Sequence, residues 1–502
     1  MFDLCIIGGG ITGAGIALDA TLRGLKVILI EKNDFAFGTS SRSTKLIHGG
    51  LRYLKNGELN LVRTLGIERN TVHRLAPHLT VAEKMLTPIV QNGTYGYWLT
   101  SIGIAIYDVL AQVKRTEYRK MLDKKAASEA EPLLRTDILK GCALYYEYRT
   151  DDARLTIEII KTAYKYGAKV LNYFEAQNLI CHHDKVAGVS AKDLVDGAVY
   201  SIHAKCTINA AGPWVDALRQ LHEPIHGKRL HLTKGVHLVV KRERLPVKQS
   251  VYFDVFDGRM VFVIPRGQVT YFGTTDTDYQ GDISKPDITD TDKIYLINAI
   301  NHMFPSANIA SQDIISSWAG LRPLIHEEGK NTSEISRKDE VFISSKGLIS
   351  IAGGKLTGYR VMAKKVIDLV INRLQLPYVA CTTAHTKLEC AIVPETIIPL
   401  AEKKLIAYFD NYKYIASNIT HLYGAATGII LEIFEQLNST DKNYELNLLK
   451  AKLKYSFTHE MIFNADDFFI RRSGIAYFEP WLMDKYKEEI DAYLKLLWQT
   501  AD

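Results

Sequence analysis

The chain opens on an apolar run, FDLCII, followed by three glycines, then ITGAGIALDATLRG with apolar residues at helical spacing, then a second apolar run, KVILI, ending on Glu31. This pattern predicts a strand over Phe2–Ile7, a helix from Ile11 and a second strand over Lys26–Ile30. The strand-to-helix signature returns twice. YSIHAKCTINAAGPWVDAL predicts a strand feeding Ala211 and Gly212. KGLISIAGGKLTGYRVMAKKVIDLVINRL predicts a strand, a double glycine and a long amphipathic helix. Another helix is expected from Asp152. Between about residues 230 and 275 the period shortens to two. VYFDVF, RMVFVI and VTYFG read there as antiparallel strands, joined by the turn signals Asp257-Gly258 and Pro265-Arg266-Gly267. After about residue 378 the pattern is helical and charge-laced, through EKKLIAYFDNY, ILEIFEQL and KYKEEIDAYLKLLWQ. The most apolar stretch, YGYWLTSIGIAIYDVLA from Tyr95, is interrupted by Thr100, Ser101 and Asp108, and reads as a core helix rather than a membrane span.

The first unit carries a dinucleotide fingerprint. Gly8, Gly10 and Gly13 fill GxGxxG between a strand and a helix, where they allow a tight turn, a close backbone approach to a pyrophosphate and close helix–strand contact. A pyrophosphate would rest at the helix N-terminus, at Gly10, Ile11 and Thr12, and Glu31 would accept hydrogen bonds from a ribose diol. The chain holds no second copy of the fingerprint. One site must then keep its redox cofactor through the whole cycle, which favours FAD over a diffusing nicotinamide. The expected fold is α/β: a discontinuous Rossmann-like FAD-binding domain over 1–80, 148–225 and 340–375, an antiparallel-sheet substrate domain over 81–147 and 226–339, and a C-terminal helical domain over 376–502.

The polar stretch GTSSRSTKLIHGGLRYL, from Gly38, lies where the rest of an extended FAD would pass. The hydroxyls of Thr39, Ser40, Ser41, Ser43 and Thr44 can donate to phosphate and ribityl oxygens, and Lys45 adds charge. Leu46 argues against a free linker, and Gly49 and Gly50 would let the backbone approach a flat ring. Ala211-Gly212 and the turn Gly354, Lys355, Leu356, Thr357 complete the expected cofactor contacts, because ligands gather at the carboxyl ends of parallel strands. Composition narrows the partners. Lys and Arg number 62 against 56 Asp and Glu, a net charge of +6 with no basic block, which argues against nucleic acid and leaves room for contact with an anionic membrane surface. The six cysteines show no CxxC pair and no metal-ligand spacing, so a reducing compartment and no metal site are expected. The N-terminus enters a strand at once, so no targeting peptide is expected.

These stretches have a family likeness. SSRSTKLIHGGLRYL after GGGITGAGIALDATLRG, then YRTDDARL, NAAGPWVD, LTKGVHLVV, GTTDTDY, GLRPL and GGKLTGYR in that order, resemble the respiratory, FAD-dependent glycerol-3-phosphate dehydrogenases nearly end to end. The chain departs from the family pattern at Arg266, where a tryptophan often stands, and matches loosely beyond HLYG and DDFFIRR. The resemblance implies oxidation of glycerol 3-phosphate to dihydroxyacetone phosphate by hydride transfer to FAD. It places His237 beside the substrate hydroxyl as base, with Lys355 and Arg322 beside it. Arg52, Arg322, Arg337 and Lys355 would hold the phosphate, since guanidinium groups bind its oxygens bidentately. Tyr53 and His48 would shape the substrate and flavin ends, and His48 would be the candidate for covalent attachment of FAD. It further implies a membrane quinone as acceptor, on a cytoplasmic protein peripheral to the inner face of the cytoplasmic membrane, and leaves a homodimer open. Three rivals stay open. One is a glycerol-3-phosphate oxidase using oxygen, against which the missing insertion between GLRPL and GGKLTGYR argues. The second is an amine or amino-acid oxidase, which would need fewer arginines, and the third is a flavin-holding sensor.

Overall fold

The opening pattern folds as a strand over Phe2–Ile7, a helix over Ile11–Leu22 and a strand over Val27–Ile30, one residue shorter than the apolar run suggests. The computed structural model of the protein describes residues 1–49, 58–91, 97–221, 223–327 and 339–500. Parallel pairing builds outward from this unit, in the order Ile349–Ala352, Val199–Asn209, Phe2–Ile7, Val27–Ile30 and Lys169–Leu171. Ile7 lies level with Ile30 on one side and Asn209 on the other, and Asn209 lies level with Ser350. The strands therefore end together, and the turns at Gly8, Ala211-Gly212 and Gly353-Gly354 leave from one edge of the sheet.

The Ile11–Leu22 helix is apolar on all sides because it is covered on all sides. The sheet lies beneath it, and the helices Asp152–Lys165 and Tyr359–Arg373 pack against its outer faces. Gly15 is where the Tyr359 ring enters; a Cβ there would stand 2.7 Å from the ring carbon Cδ2. Its last turn ends in a buried fork, with Arg23 donating from Nε and Nη2 to Asp19 at 3.0 and 2.7 Å and from Nη1 to Asp368 at 2.6 Å.

The second sheet is mixed and mainly antiparallel, and among the described residues it contains ten strands. Towards one edge Lys228–Lys241 pairs with Val269–Gly273 on one side and with the long strand Ile314–Glu327 on the other. The three strands expected by alternation are present as Ser250–Asp254, Met260–Arg266 and Val269–Gly273. The second turn signal is shifted, however. Pro265 and Arg266 are the last two residues of a strand and pair with Thr270 and Val269, so the turn is Gly267-Gln268. Gly267 supplies the positive φ of +59° that such a tight turn needs.

Helices follow residue 380, among them Tyr412–Tyr423, Thr427–Asn438, Tyr444–Glu460 and Pro480–Gln499, around cores that include Ile419, Phe434, Leu453 and Ile490. The apolar stretch near Trp98 becomes the helix Tyr97–Leu110. It buries Ile104 and Tyr107 and leaves Ile106 and Val109 exposed. Among the described residues no helix is long and apolar enough to cross a membrane.

Candidate active site

A cleft of about 670 Å³ runs along the edge where the parallel strands end, roofed by the second sheet. One end is made of backbone. Gly8, Gly10, Ile11 and Thr12 line it, and Gly10, at the start of the helix, has no side chain to cap the first turn. Gly13 lies behind the cleft wall. Any side chain there would collide with the carbonyl of Gly8, so its part is close helix–strand packing. Glu31 accepts from the amides of Gly9 (2.7 Å) and Asn33 (2.9 Å), and the other lone pairs of both oxygens remain for a donor in the cleft. Burial pushes its carboxyl above the usual range, against the pull of those two amides.

The hydroxyl-rich stretch is arranged differently from expectation. Thr39, Ser40, Ser43, Thr44, Leu46 and His48 line the cleft. A hydroxyl has a single proton to donate, however, and several are already committed. Thr39 donates to the carbonyl of Leu321 at 2.7 Å, and Ser43 donates to Asp152 at 2.6 Å. Ser40 accepts from the Ile11 amide at 2.9 Å and so keeps its proton. Ser41 is buried off the cleft, within 3.5 Å of the carbonyls of Phe37 and Gly38. Lys45 is the clearest correction. Its ammonium points away from the cleft into a buried pair with Asp152 and donates to the carbonyl of Ser41 at 3.1 Å. Burial opposes its charge, but Asp152 and Asp151 outweigh that and hold it protonated. Lys45 and Ser43 thus anchor the loop from behind. Gly49 also lies off the cleft, receiving the Tyr107 hydroxyl where a side chain would stand.

The other end of the cleft is made of side chains. His237, Arg322 and Lys355 all line it, brought together from the paired strands Lys228–Lys241 and Ile314–Glu327 of the roof and from the third glycine turn. His237 is 2% exposed. Its ring stacks on Trp318 at 4.8 Å and 12°, and Nε2 lies 3.0 Å from the Thr44 hydroxyl, while Nδ1 has no hydrogen-bond partner among the described residues. The ring lies over Gly273, its cross-strand neighbour, where a side chain would stand 2.5 Å from Cδ2. Burial, with Arg322 and Lys45 adding to it, holds the imidazole well below its usual pKa and therefore neutral at pH 7. Arg322 lies over Gly235 and donates to Asp276 at 3.1 Å and to the Thr274 hydroxyl at 3.0 Å. Lys355 precedes a short 3-10 turn, Leu356–Gly358, and the long helix starts only at Tyr359. The cation therefore stands four residues before the helix. Gly354, Leu356 and Thr357 line the cleft beside it, as do Ala211 and Gly212.

Gly50, Arg52, Tyr53 and Arg337 lie outside the described residues. Arg266 is away from the cleft. It pairs with Asp151 at 3.0 Å and lies over the Phe478 ring at 3.9 Å, so the departure from the family pattern falls at the joint with the C-terminal helices and not in the substrate wall. Sequence reasoning passed over Arg42, which lines the cleft and lies over Phe37, and Trp318, the platform under His237. Arg42 sits inside SSRSTKLIHGGLRYL and Trp318 two residues before GLRPL, yet neither residue type announces its role locally.

A family model described as FAD dependent oxidoreductase matches residues 3–360, and one described as C-terminal domain of alpha-glycerophosphate oxidase matches 381–500. The chain is 47% identical to the aerobic glycerol-3-phosphate dehydrogenase of Staphylococcus haemolyticus, over 97% of this chain and 89% of the relative. This chain belongs to the FAD-dependent glycerol-3-phosphate dehydrogenase family. A glycerol-3-phosphate dehydrogenase from Bacillus halodurans complexed with FAD shares the structure at a TM-score of 0.83 and 43% identity, over 98% of this chain and 90% of that one. An L-alpha-glycerophosphate oxidase from Mycoplasma pneumoniae shares the fold, at a TM-score of 0.59 and 19% identity. It aligns over 94% of its own length with 74% of this chain.

The enzyme's cofactor is FAD, and the residues fit it. The uncapped helix start at Gly10 suits a pyrophosphate, and the lone pairs of Glu31 suit a ribose diol. The paired glycines at 353 and 354, with φ of +75° and +78°, carry the chain past the far end of the cleft. No group of His, Cys, Asp or Glu suited to a metal occurs among the described residues.

Proposed function

We propose that the enzyme oxidises sn-glycerol 3-phosphate to dihydroxyacetone phosphate. The observation that carries this reading is a neutral, buried imidazole, His237, close enough to Arg322 to feel its charge, in a cleft that Lys355 also lines. A secondary alcohol bearing a phosphate needs this pair of features: a base for the hydroxyl proton and fixed positive charge for the ester. Bound FAD supplies the acceptor for the hydride lost from C2.

His237 takes the hydroxyl proton at a ring nitrogen. Thr44 fixes the ring by its contact with Nε2, and Trp318 fixes its plane. Arg322 is held by Asp276 and Thr274 before substrate arrives, so little side-chain freedom is lost on binding. Lys355 adds a second charge at the same end. The roof sheet and the bulk of Trp318 keep water from the imidazole. Arg52, Arg337 and Tyr53 are assigned to the same substrate on their motifs alone.

We infer further that electrons leave for a membrane quinone and that the protein works at the cytoplasmic face of a membrane, as a monomer or homodimer. Support comes from the aerobic role named for the relative, the positive net charge and the exposed Ile106 and Val109. Transfer to oxygen is the second reading, favoured by the C-terminal match to a glycerophosphate oxidase. Mixing the purified holoenzyme anaerobically with glycerol 3-phosphate should bleach the oxidised flavin, and added quinone should restore it faster than air does. An unbleached flavin would overturn the substrate; faster recovery in air would favour the oxidase.

A further inference from the structure

The DDFFIRR motif is where the C-terminal helices reach the cofactor cleft. Its Asp467–Arg472 segment forms a wide, π-helical turn with both arginines buried. Arg472 grips Asp34 with both terminal nitrogens, at 2.7 and 2.8 Å, and Arg471 donates to the same carboxylate from Nε. Asn172 adds a donor at 3.2 Å. Asp34 is 0% exposed; burial opposes its charge, but Arg472 and Arg471 outweigh that and keep it ionised.

Asp34 is itself off the cleft but sits in the middle of its wall. Glu31 and Asn33 line the cleft on one side of it, and Thr39 and Ser40 on the other. The turn between them is pinned to the fingerprint by the Ala36 amide, which donates to the Gly9 carbonyl at 3.0 Å. Arg471 also lies 5.6 Å from the Phe37 ring. The charge of Arg471 reaches Glu31, where it opposes the effects of burial and of Asp34. A second ionic cluster joins the same two parts of the chain without touching the turn, and it meets the first at Glu460, whose carbonyl accepts from Arg472 at 2.7 Å and whose carboxylate lies 3.7 Å from the Arg472 Nε. In it Lys161 bonds Glu158 and Tyr455, both at 2.9 Å, and Arg154 bonds Glu460 at 2.8 Å.

We propose that Arg471 and Arg472 are positioning residues for FAD: through Asp34 they set the Glu31–Ser40 turn from behind, so that cofactor binding and docking of the C-terminal helices strengthen one another. The coupling is reciprocal by linkage, since whatever favours the docked turn favours FAD, and FAD favours the docked turn. Two neighbouring ionic clusters thus have different duties, one facing the cofactor and one holding the joint.

The test compares full-length Arg471→Gln, Arg472→Lys and Lys161→Gln enzymes. FAD affinity is read by flavin fluorescence on titrating each apoprotein, and FAD release by diluting each holoenzyme. The two arginine variants should raise the FAD Kd by about tenfold or more, the size expected when a charge-assisted bond is lost. Lys161→Gln, which removes no contact to Asp34 or the turn, should lower the thermal midpoint but leave the FAD Kd within about twofold. Asp34→Asn, which keeps the side-chain shape, serves if an arginine variant fails to fold, and should raise the Kd likewise. FAD added to wild-type apoprotein should slow amide exchange across residues 461–478. Unchanged FAD affinity in the arginine or Asp34 variants would overturn the proposal, as would an equal loss in Lys161→Gln, which would reduce the arginines to general supports.

Discussion

The two ends of the cleft are built on opposite principles. At the nucleotide end the groups that would meet FAD are mostly backbone, amides and missing side chains at Gly8 and Gly10, with Glu31 as an acid fixed by the Gly9 amide. At the reaction end they are side chains from three distant points of the chain, and their meeting depends on register. His237 stands opposite Gly273 and Trp318, and Arg322 stands opposite Thr233. A slip of one residue would turn His237 to the other face of the sheet. The nucleotide end tolerates side-chain change as long as the turn survives, whereas the reaction end tolerates almost none.

The sharpest way to break this contrast is His237→Asn. A positioned general base contributes roughly 10²–10⁴-fold, so stopped-flow flavin reduction by glycerol 3-phosphate should slow by about that factor. FAD content and FAD affinity should stay at wild-type values. If reduction kept its rate, His237 would not be the base; if FAD were lost, the two ends would not be separable.

Arg322→Ala comes next in size. Loss of a charged contact to the phosphate should raise the KM for glycerol 3-phosphate by roughly 10- to 100-fold. Unchanged FAD affinity, measured on the same preparation, would keep the effect at the reaction end. An unaltered KM would remove Arg322 from the phosphate site and leave Lys355 to carry it.

How much of this contrast could be read from the sequence follows from the same physics. The nucleotide end was legible because its parts lie within thirty-one consecutive residues and each glycine has a local reason. Three alternating strands of the second sheet were legible too, one of them the neighbour of the strand that carries His237. Which residues face one another across the sheets was not, because pairing such as Arg322 with Asp276 is set by tertiary register. The resemblance, not spacing, singled out His237 and Arg322. Lys45 misled for a physical reason: a lysine in a polar loop looks solvated, but Asp152, 107 residues away, draws it inward. Asp34 and Arg472, separated by 438 residues, leave no local trace of their pairing at all.

Glu31→Gln probes the nucleotide end with a smaller expected effect. A carboxamide keeps one acceptor, but its amino group must face the amide donor of Gly9 or of Asn33. FAD affinity should fall about tenfold, by fluorescence titration, while the KM of FAD-saturated enzyme stays unchanged. A raised KM with normal FAD affinity would reverse the assignment of the two ends.

The smallest effect is a pH dependence, and its sign is fixed by the burial of His237. The folded imidazole titrates well below its usual value near 6.5, because burial first, and Arg322 and Lys45 second, disfavour the cation. The unfolded chain therefore takes up a proton that the folded chain refuses. His237 contributes its stability in full above about pH 6.5, and that contribution falls as the pH drops toward the folded pKa. One unit below the unfolded value the loss amounts to about 1 kcal/mol. Urea midpoints of the holoenzyme at pH 7.5 and 5.5 should therefore fall further for wild type than for His237→Asn, whose amide has no proton to gain. Equal acid sensitivity in the two proteins would mean that His237 is already solvated or charged when folded. The reaction end would then lack the dry, neutral base on which its difference from the nucleotide end rests.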